Sequence, residues 1–132
     1  DSIKVSIYYV LINDIKKLKL KVFLAINPET RIDLILPYLK KVNGILFLGV
    51  HPGIEKQSFI PIVYKKISQL RKLYKNIIIQ VDGGVNDKNI SKLSKLGVNI
   101  INSGSFVSES KDPKEAFKKL NLLFKNKRHI LY

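Results

Sequence analysis

Ile77-Ile78-Ile79-Gln80-Val81-Asp82-Gly83-Gly84-Val85 is an apolar run that ends on a carboxylate and passes at once into two glycines. Its β-branched residues favour a strand, which delivers Asp82 to the mouth of a sheet. The paired glycines carry no side chain, so backbone N–H groups can approach an anion closely there. The same pattern also fits a plain strand and Asp-Gly turn. A second element shifts the balance: Val98-Asn99-Ile100-Ile101-Asn102 is another short strand, and it runs into Ser103-Gly104-Ser105. One helix separates the two. Parallel neighbours joined by one helix set their C-terminal loops side by side, which would converge Gly83, Gly84, Gly104 and Ser105 on one phosphate group.

Outward from these strands, apolar runs at Ile3 to Tyr9, Lys21 to Ile26 and Gly44 to Val50 alternate with helical patterns, giving a βα order repeated five times. Ile60, Val63, Ile67, Leu70 and Tyr74 recur at helical spacing after Pro61, and this segment is expected to be the longest helix. Asn86 caps a helix carrying Ile90, Leu93 and Leu96, with Gly97 as its left-handed stop, and Thr30 with Asp33 resembles a capping box. A last helix should begin near Pro113 and present Phe117, Leu120 and Phe124 to the sheet. Near-continuous apolar strands imply a parallel sheet covered on both faces, hence α/β architecture. Five βα units fall three strands short of a (β/α)8 barrel, whose usual size is about 250 residues.

With 132 residues and 45% apolar content, one modest core and a single domain over residues 1–132 are expected. No apolar run approaches the roughly 20 residues that cross a bilayer, and the first residues lack signal-peptide order, so a cytoplasmic protein is expected. Cysteine is absent, which excludes disulfides, thiolate metal sites and cysteine nucleophiles. Methionine is absent too, position 1 included, so these residues are expected to be part of a longer or processed polypeptide. The net charge of +14 invites a nucleic-acid partner, but the lysines fall in ones and twos along helix faces opposite the apolar stripe. Only Lys125 to His129 forms a dense basic cluster, so neither nucleic acid nor membrane is the expected partner.

The loop Val50-His51-Pro52-Gly53-Ile54-Glu55-Lys56-Gln57-Ser58-Phe59-Ile60-Pro61 adds a more specific pattern. It resembles the V-N-P-G-F-G-G-Q-x-F-I-P loop of the ribulose-phosphate 3-epimerase family. Leu24 to Thr30 is similar to that family's A-L-N-P-x-T segment, Val81 to Gly84 to its V-D-G-G, and Ser103 to Ser105 to its A-G-S turn. The resemblance runs from about Ile3 to Leu120 and implies the C-terminal part of a TIM-type barrel. It implies an isomerase of carbohydrate metabolism that converts D-ribulose 5-phosphate to D-xylulose 5-phosphate by metal-assisted proton transfer at C3. Asp82 would be both catalytic acid/base and ligand to a divalent ion (Zn, Fe, Mn or Co). Gly53, Gln57, Ser58, Gly83, Gly84, Gly104 and Ser105 would bind substrate and phosphate, the last two with help from a short helix after Ser105. Leu48, His51 and Lys56 are further candidates for substrate contact, although Leu48 also suits the core and His51 an ordinary hydrogen-bonding role.

The sequence departs from the family at several points. Ile54-Glu55-Lys56 stands where the family has Phe-Gly-Gly, so Lys56 either meets phosphate or points to solvent. His51 replaces an asparagine, and Tyr8, Tyr9 and Val10 stand where a strand-end His-x-Glu is often found. The family's other metal ligands, two histidines and an aspartate that is also the second acid/base group, precede the first residue, and Asp14, Asp33, Asp87, Asp112 and His129 do not replace them. A degenerate phosphosugar-binding relative, allulose-phosphate epimerase and hexulose-phosphate synthase remain as alternatives. An open sheet edge favours a homo-oligomer.

Overall fold

The computed structural model describes residues 2–54, 56–125 and 129–131, with backbone alone for 2–8 and 129–131. In chain order the elements are α1 (Ser2–Lys17), β1 (Phe23–Ile26), 3-10 turns at Ile32–Leu34 and Leu36–Tyr38, β2 (Gly44–Leu48) and α2 (Ile62–Leu73). β3 (Ile78–Asp82), α3 (Ile90–Lys95), β4 (Ile100–Asn102), α4 (Ser105–Ser108), α5 (Pro113–Leu123) and β5 (His129–Leu131) follow. The strands form one parallel sheet in the order β1-β2-β3-β4-β5, the arrangement of a partial (β/α) barrel.

Burial alternates along β2 and β3, because the helices cover one face of the sheet and not both as the apolar runs suggest. Ile45, Phe47, Ile79, Val81 and Ile101 are at most 1% exposed and share one core with Val63, Ile67 and Leu70 of α2, Ile90 and Leu93 of α3, and Leu120 and Phe124 after it. Residues two apart on a strand share a face. Leu46, Leu48, Ile78, Gln80, Asp82, Ile100 and Asn102 therefore occupy the opposite face, where each is only half-buried. A one-sided helical layer is what a barrel wall requires, its other face being the interior.

Local chemistry accounts for the helix limits. In α2 the buried residues at positions 63, 67 and 70 form one stripe, Pro61 sits just before the first turn and Arg71 and Lys72 occupy the last. Asp112 caps α5 by accepting from Glu115 N at 3.1 Å, and Gly97, at φ +87°, ends the turn after α3 as its sequence context suggests. Asn86 does not cap α3 directly. It holds the preceding turn, accepting from Lys88 N, and α3 starts after Asn89. Thr30 and Asp33 form no capping box either: Thr30 Oγ1 accepts from Asn27 N, while Asp33, inside the first 3-10 turn, pairs with Arg31 just before it.

The largest difference from the sequence pattern lies at the start. Ile3 to Tyr9 is not a strand but part of α1, at 16 residues longer than the 12-residue α2. Its β-branched content favours extension locally, yet tertiary packing decides. Ile12 is buried, the Tyr9 and Tyr38 rings lie 5.2 Å apart and Tyr9 Oη donates to Pro37 O. Tyr8, Tyr9 and Val10 are consequently helical and not at a strand end. The strand count is restored by β5, within the segment read as a basic tail; residues 126–128 of that tail lie outside the described residues. Among the described residues no helix is long and apolar enough to cross a membrane.

Two asparagines lock the N-terminal ends of the strands. Asn43 N donates to Val22 O while its Oδ1 accepts from Val22 N at 2.7 Å, and Asn99 makes the same pair of bonds with Ile79 O and Ile79 N. Arg71 adds a hub at this end, donating to the carbonyls of Lys75, Ile77 and Gly97 and to Asn99 Oδ1. Asn99→Ala removes the acceptor for a strand N–H and for the guanidinium at once, so stability should fall by about 1–3 kcal/mol in urea denaturation. An unchanged midpoint would refute the bridging role.

Lys119 of α5 donates to Asp87 in the turn before α3. That hydrogen bond holds the Asp87 carboxyl below its ordinary value, with further help from the Lys119 and Lys88 charges and against the opposing effect of burial. A depressed carboxyl stabilises the fold fully above its unfolded pKa and loses this contribution as pH falls through the folded value. The stability advantage of the native protein over Asp87→Asn should therefore shrink as pH drops below about 4. Denaturant titrations at neutral and acid pH would read the difference, and a constant gap would refute the linkage.

Candidate active site at the C-terminal ends of the strands

The register pairs Leu48 with Asp82 and Asp82 with Asn102, setting three side chains level at the C-terminal rim of the open face. One step below, Gln80 Nε2 donates to Asn102 Oδ1 at 2.9 Å. That bond occupies the polar neighbours with each other. Among the described residues no side chain pairs with the half-buried Asp82 carboxylate, which leaves it available to a ligand.

The loops above this rim are packed backbone to backbone. Gly49 N donates to Asp82 O at 2.7 Å, and Ile60 N donates to Gly49 O at 2.8 Å. A Cβ on Gly49 would stand 2.3 Å from Gly83 O and 2.5 Å from the Phe59 ring. On Gly84, whose φ is +69°, it would stand 2.9 Å from Phe59 N. The Asp-Gly-Gly glycines thus serve the contact between the β2 and β3 loops as well as leaving backbone open to an anion. Asn89 Nδ2 donates to Gly84 O at 2.8 Å, and the buried Ser103 Oγ donates to Val85 O at 3.0 Å. The second of these bonds joins the β3 and β4 loops, so the two glycine-bearing turns do lie together.

Gly104 and Ser105 are exposed at the start of α4. A Cβ on Gly104 would meet nothing within 4 Å, so the space above it is open. With four residues, α4 is too short to sum a useful dipole, and this loop offers an anion bare backbone only.

Gln57 braces the β2 loop from within, its Nε2 donating to His51 O at 2.7 Å and Ile54 O at 2.8 Å. Gly53 and Lys56 both have positive φ, +83° and +56°. Two side-chain contacts tie this loop outward. His51 Nδ1 lies 2.8 Å from Glu29 Oε1 in the β1 loop, and Lys56 Nζ lies 4.0 Å from Glu109 Oε2 beyond α4. The β1 loop is itself held by Lys66 of α2, which donates to the carbonyls of Pro28 and Thr30. Burial pushes the Lys66 ammonium below its ordinary pKa, and Glu29 partly offsets this. Ser58 is exposed, Leu48 is half-buried on the open face, and Glu55 lies outside the described residues.

Among the described residues no three His, Cys, Asp or Glu side chains stand close enough to hold a metal ion. His51 and Glu29 are engaged with each other, and Asp82 is one carboxylate where a tightly held cation takes several convergent ligands. These residues do not by themselves fit a complete metal centre.

The sequence pattern gives no role to Gly49, Asn89 or Glu109, and holds Phe59, Ser103 and Glu29 only as parts of longer motifs. Each acts by shaping a loop through contacts that sequence spacing does not reveal, Asn89 bonding back to Gly84 five residues away and Ser103 to Val85 eighteen away. Gly49 is the exception, since a glycine just after an apolar strand marks a close approach of backbone.

The ribulose-phosphate 3 epimerase family model matches residues 4–108. Ribulose-phosphate 3-epimerase of Helicobacter pylori strain J99 is 39% identical over 101 residues, 74% of this chain and 46% of that protein. The chloroplastic ribulose-5-phosphate-3-epimerase of Arabidopsis thaliana is 40% identical over 111 residues, covering 81% and 40%. The enzyme of Buchnera aphidicola subsp. Schizaphis graminum is 34% identical over 119 residues, covering 87% and 52%. The chain spans about half the length of the curated relatives it matches. The Asp82 rim and the β1, β2, β3 and β4 loops lie within the matched residues, and the chain belongs to the ribulose-phosphate 3-epimerase family.

Proposed function

We propose that this chain, as one α/β domain, forms the C-terminal part of a TIM-type barrel that interconverts D-ribulose 5-phosphate and D-xylulose 5-phosphate. The observation that carries the reading is the Asp82 carboxylate, without a side-chain partner among the described residues, at the rim of the open face below two glycine-bearing loops joined through Ser103 and Val85. Epimerisation takes a proton from C3 on one face and returns one to the other. Asp82 is the group on one face: its carboxylate accepts the C3 proton as the C–H electron pair moves toward the C2 carbonyl, giving an enediolate. Protonation of C3 from the opposite face completes the inversion, and the second acid/base group comes from outside the described residues.

Backbone at Gly83, Gly84, Gly104 and Ser105 receives the phosphate, with Gly53, Gln57 and Ser58 in the loop above it. Holding the phosphate fixes C3 against Asp82, which is the positioning contribution to the rate. Leu48, level with Asp82, gives the sugar an apolar floor, and His51 acts through the loop it ties to Glu29. The divalent ion implied by the family would count Asp82 among its ligands and stabilise charge on the enediolate oxygens; its remaining ligands lie outside this set. The unpaired carboxylate also permits a second reading, a phosphosugar binder without turnover.

Solvent deuterium incorporation at C3 of ribulose 5-phosphate separates the two readings in the full-length protein. Asp82→Asn should lower exchange by roughly 10²–10⁴-fold, the usual contribution of a positioned acid/base group, while sugar-phosphate binding persists. Exchange at the native rate in that variant would sink the epimerase assignment. Binding with no exchange in the native protein would establish the non-catalytic reading.

A further inference from the structure

We infer that Lys56 is a cation that the β2 loop supplies to the ligand's phosphate, held by Glu109 until the phosphate takes it. The inference rests on the phosphate-site reading above and adds a residue for which the family loop, with glycine at this position, has no counterpart.

Lys56 keeps a glycine-like backbone, at φ +56°, which L residues adopt only at a cost. The Gln57 amide, fastened to both His51 O and Ile54 O, closes the turn in which Lys56 lies. The loop thus retains the shape that a glycine would give it and gains a charged side chain. That side chain is aimed: Nζ lies 4.0 Å from Glu109 Oε2, only four residues beyond Ser105. Because β3 stands between β2 and β4 in the sheet, a contact between the β2 loop and the residue that follows α4 spans the strand whose C-terminal turn is Gly83–Gly84. The His51–Glu29 contact ties the other end of the loop to the β1 loop.

Magnitude makes the pair exchangeable. The Lys56 and Glu109 side chains are 74% and 58% exposed, and at 4.0 Å the pair is long, so their attraction is weak. A phosphate brings more charge and three acceptor oxygens, and it outcompetes a single solvated carboxylate. Glu109 then acts as a counter-ion that orients Lys56 while the site is empty and competes with the phosphate for it.

The test is binding of inorganic phosphate to the full-length protein by calorimetry, comparing native, Lys56→Gly, Glu109→Gln and the double variant. Lys56→Gly restores the family residue and relieves the backbone, so folding is not at risk. It should weaken phosphate binding roughly tenfold, as loss of one charge-assisted hydrogen bond does. Glu109→Gln should tighten binding severalfold, and the double variant should match Lys56→Gly, since Glu109 acts only through Lys56. Native affinity in Lys56→Gly would overturn the inference, as would tightening by Glu109→Gln when Lys56 is gone. Proton exchange persisting in Asp82→Asn would remove the epimerase reading while leaving the Lys56 effect standing.

Discussion

At the end of β2 the backbone of Gly49 comes so near the Gly83 carbonyl that a methyl group there would sit 2.3 Å from it. The arrangement of the candidate site depends on this approach. It draws the β2 loop across the β3 loop, seats Phe59 against Gly49 and Gly84, and leaves Asp82 beneath with its backbone carbonyl bonded to Gly49 N. Interiors are close-packed, so a side chain at Gly49 could not be absorbed by a small shift; the two loops would have to part. Asn89 and Ser103 then fix the Asp-Gly-Gly turn to α3 and to the β4 loop, and the mouth becomes one connected surface.

The two ends of the sheet are built differently. At the N-terminal end, side-chain amides and the Arg71 guanidinium are consumed in bonds to the carbonyls and N–H groups of Val22, Ile77, Ile79 and Gly97. That end is satisfied by its own chain. At the C-terminal end, the Asp82 carboxylate has no side-chain partner among the described residues and Gly104 faces open space. An end with its polar groups already paired can hold a structure together, whereas one with an unpaired carboxylate and bare backbone can receive a ligand. This matches the general placement of barrel active sites at the C-terminal ends of strands.

Four strands of the sequence pattern, read at Lys21 to Ile26, Gly44 to Val50, Ile77 to Val81 and Val98 to Asn102, are present, with ends at Ile26, Leu48, Asp82 and Asn102, because β-branched runs and flanking Gly or Asn residues are local signals. The convergence of the Asp-Gly-Gly and Gly-Ser turns was legible for the same reason, since it follows from strand order alone. What local signals could not decide was α1, where β-branched residues are overruled by the burial of Ile12 and by Tyr9, which meets the Tyr38 ring and donates to Pro37 O, 28 residues away. Nor could they give β5, a three-residue strand in a basic segment whose pairing with β4 is set by the sheet edge it meets. The one-sided burial was hidden too: Leu46, Ile78 and Ile100 are as apolar as the core residues beside them, so composition does not distinguish a helix-covered face from a barrel interior.

That open face links packing to chemistry. Leu46, Leu48, Ile78 and Ile100 are half-buried, and an apolar sheet face of this extent gains by being covered, at about 25 cal/mol per Å² removed from water. The same face carries Asp82, whose attraction for a proton or an enediolate strengthens as water is excluded and the effective dielectric falls. In the proposed epimerase the second acid/base group must stand across the substrate from Asp82, which places it above this face as well. Whatever covers the apolar residues therefore also bounds the substrate, excludes water and brings the opposing proton donor within reach. On the proposed reading, completion of the core and of the catalytic pair are the same event, and a barrel that closed imperfectly would lose turnover before phosphate binding, because the loops assigned to phosphate in that proposal lie within this chain.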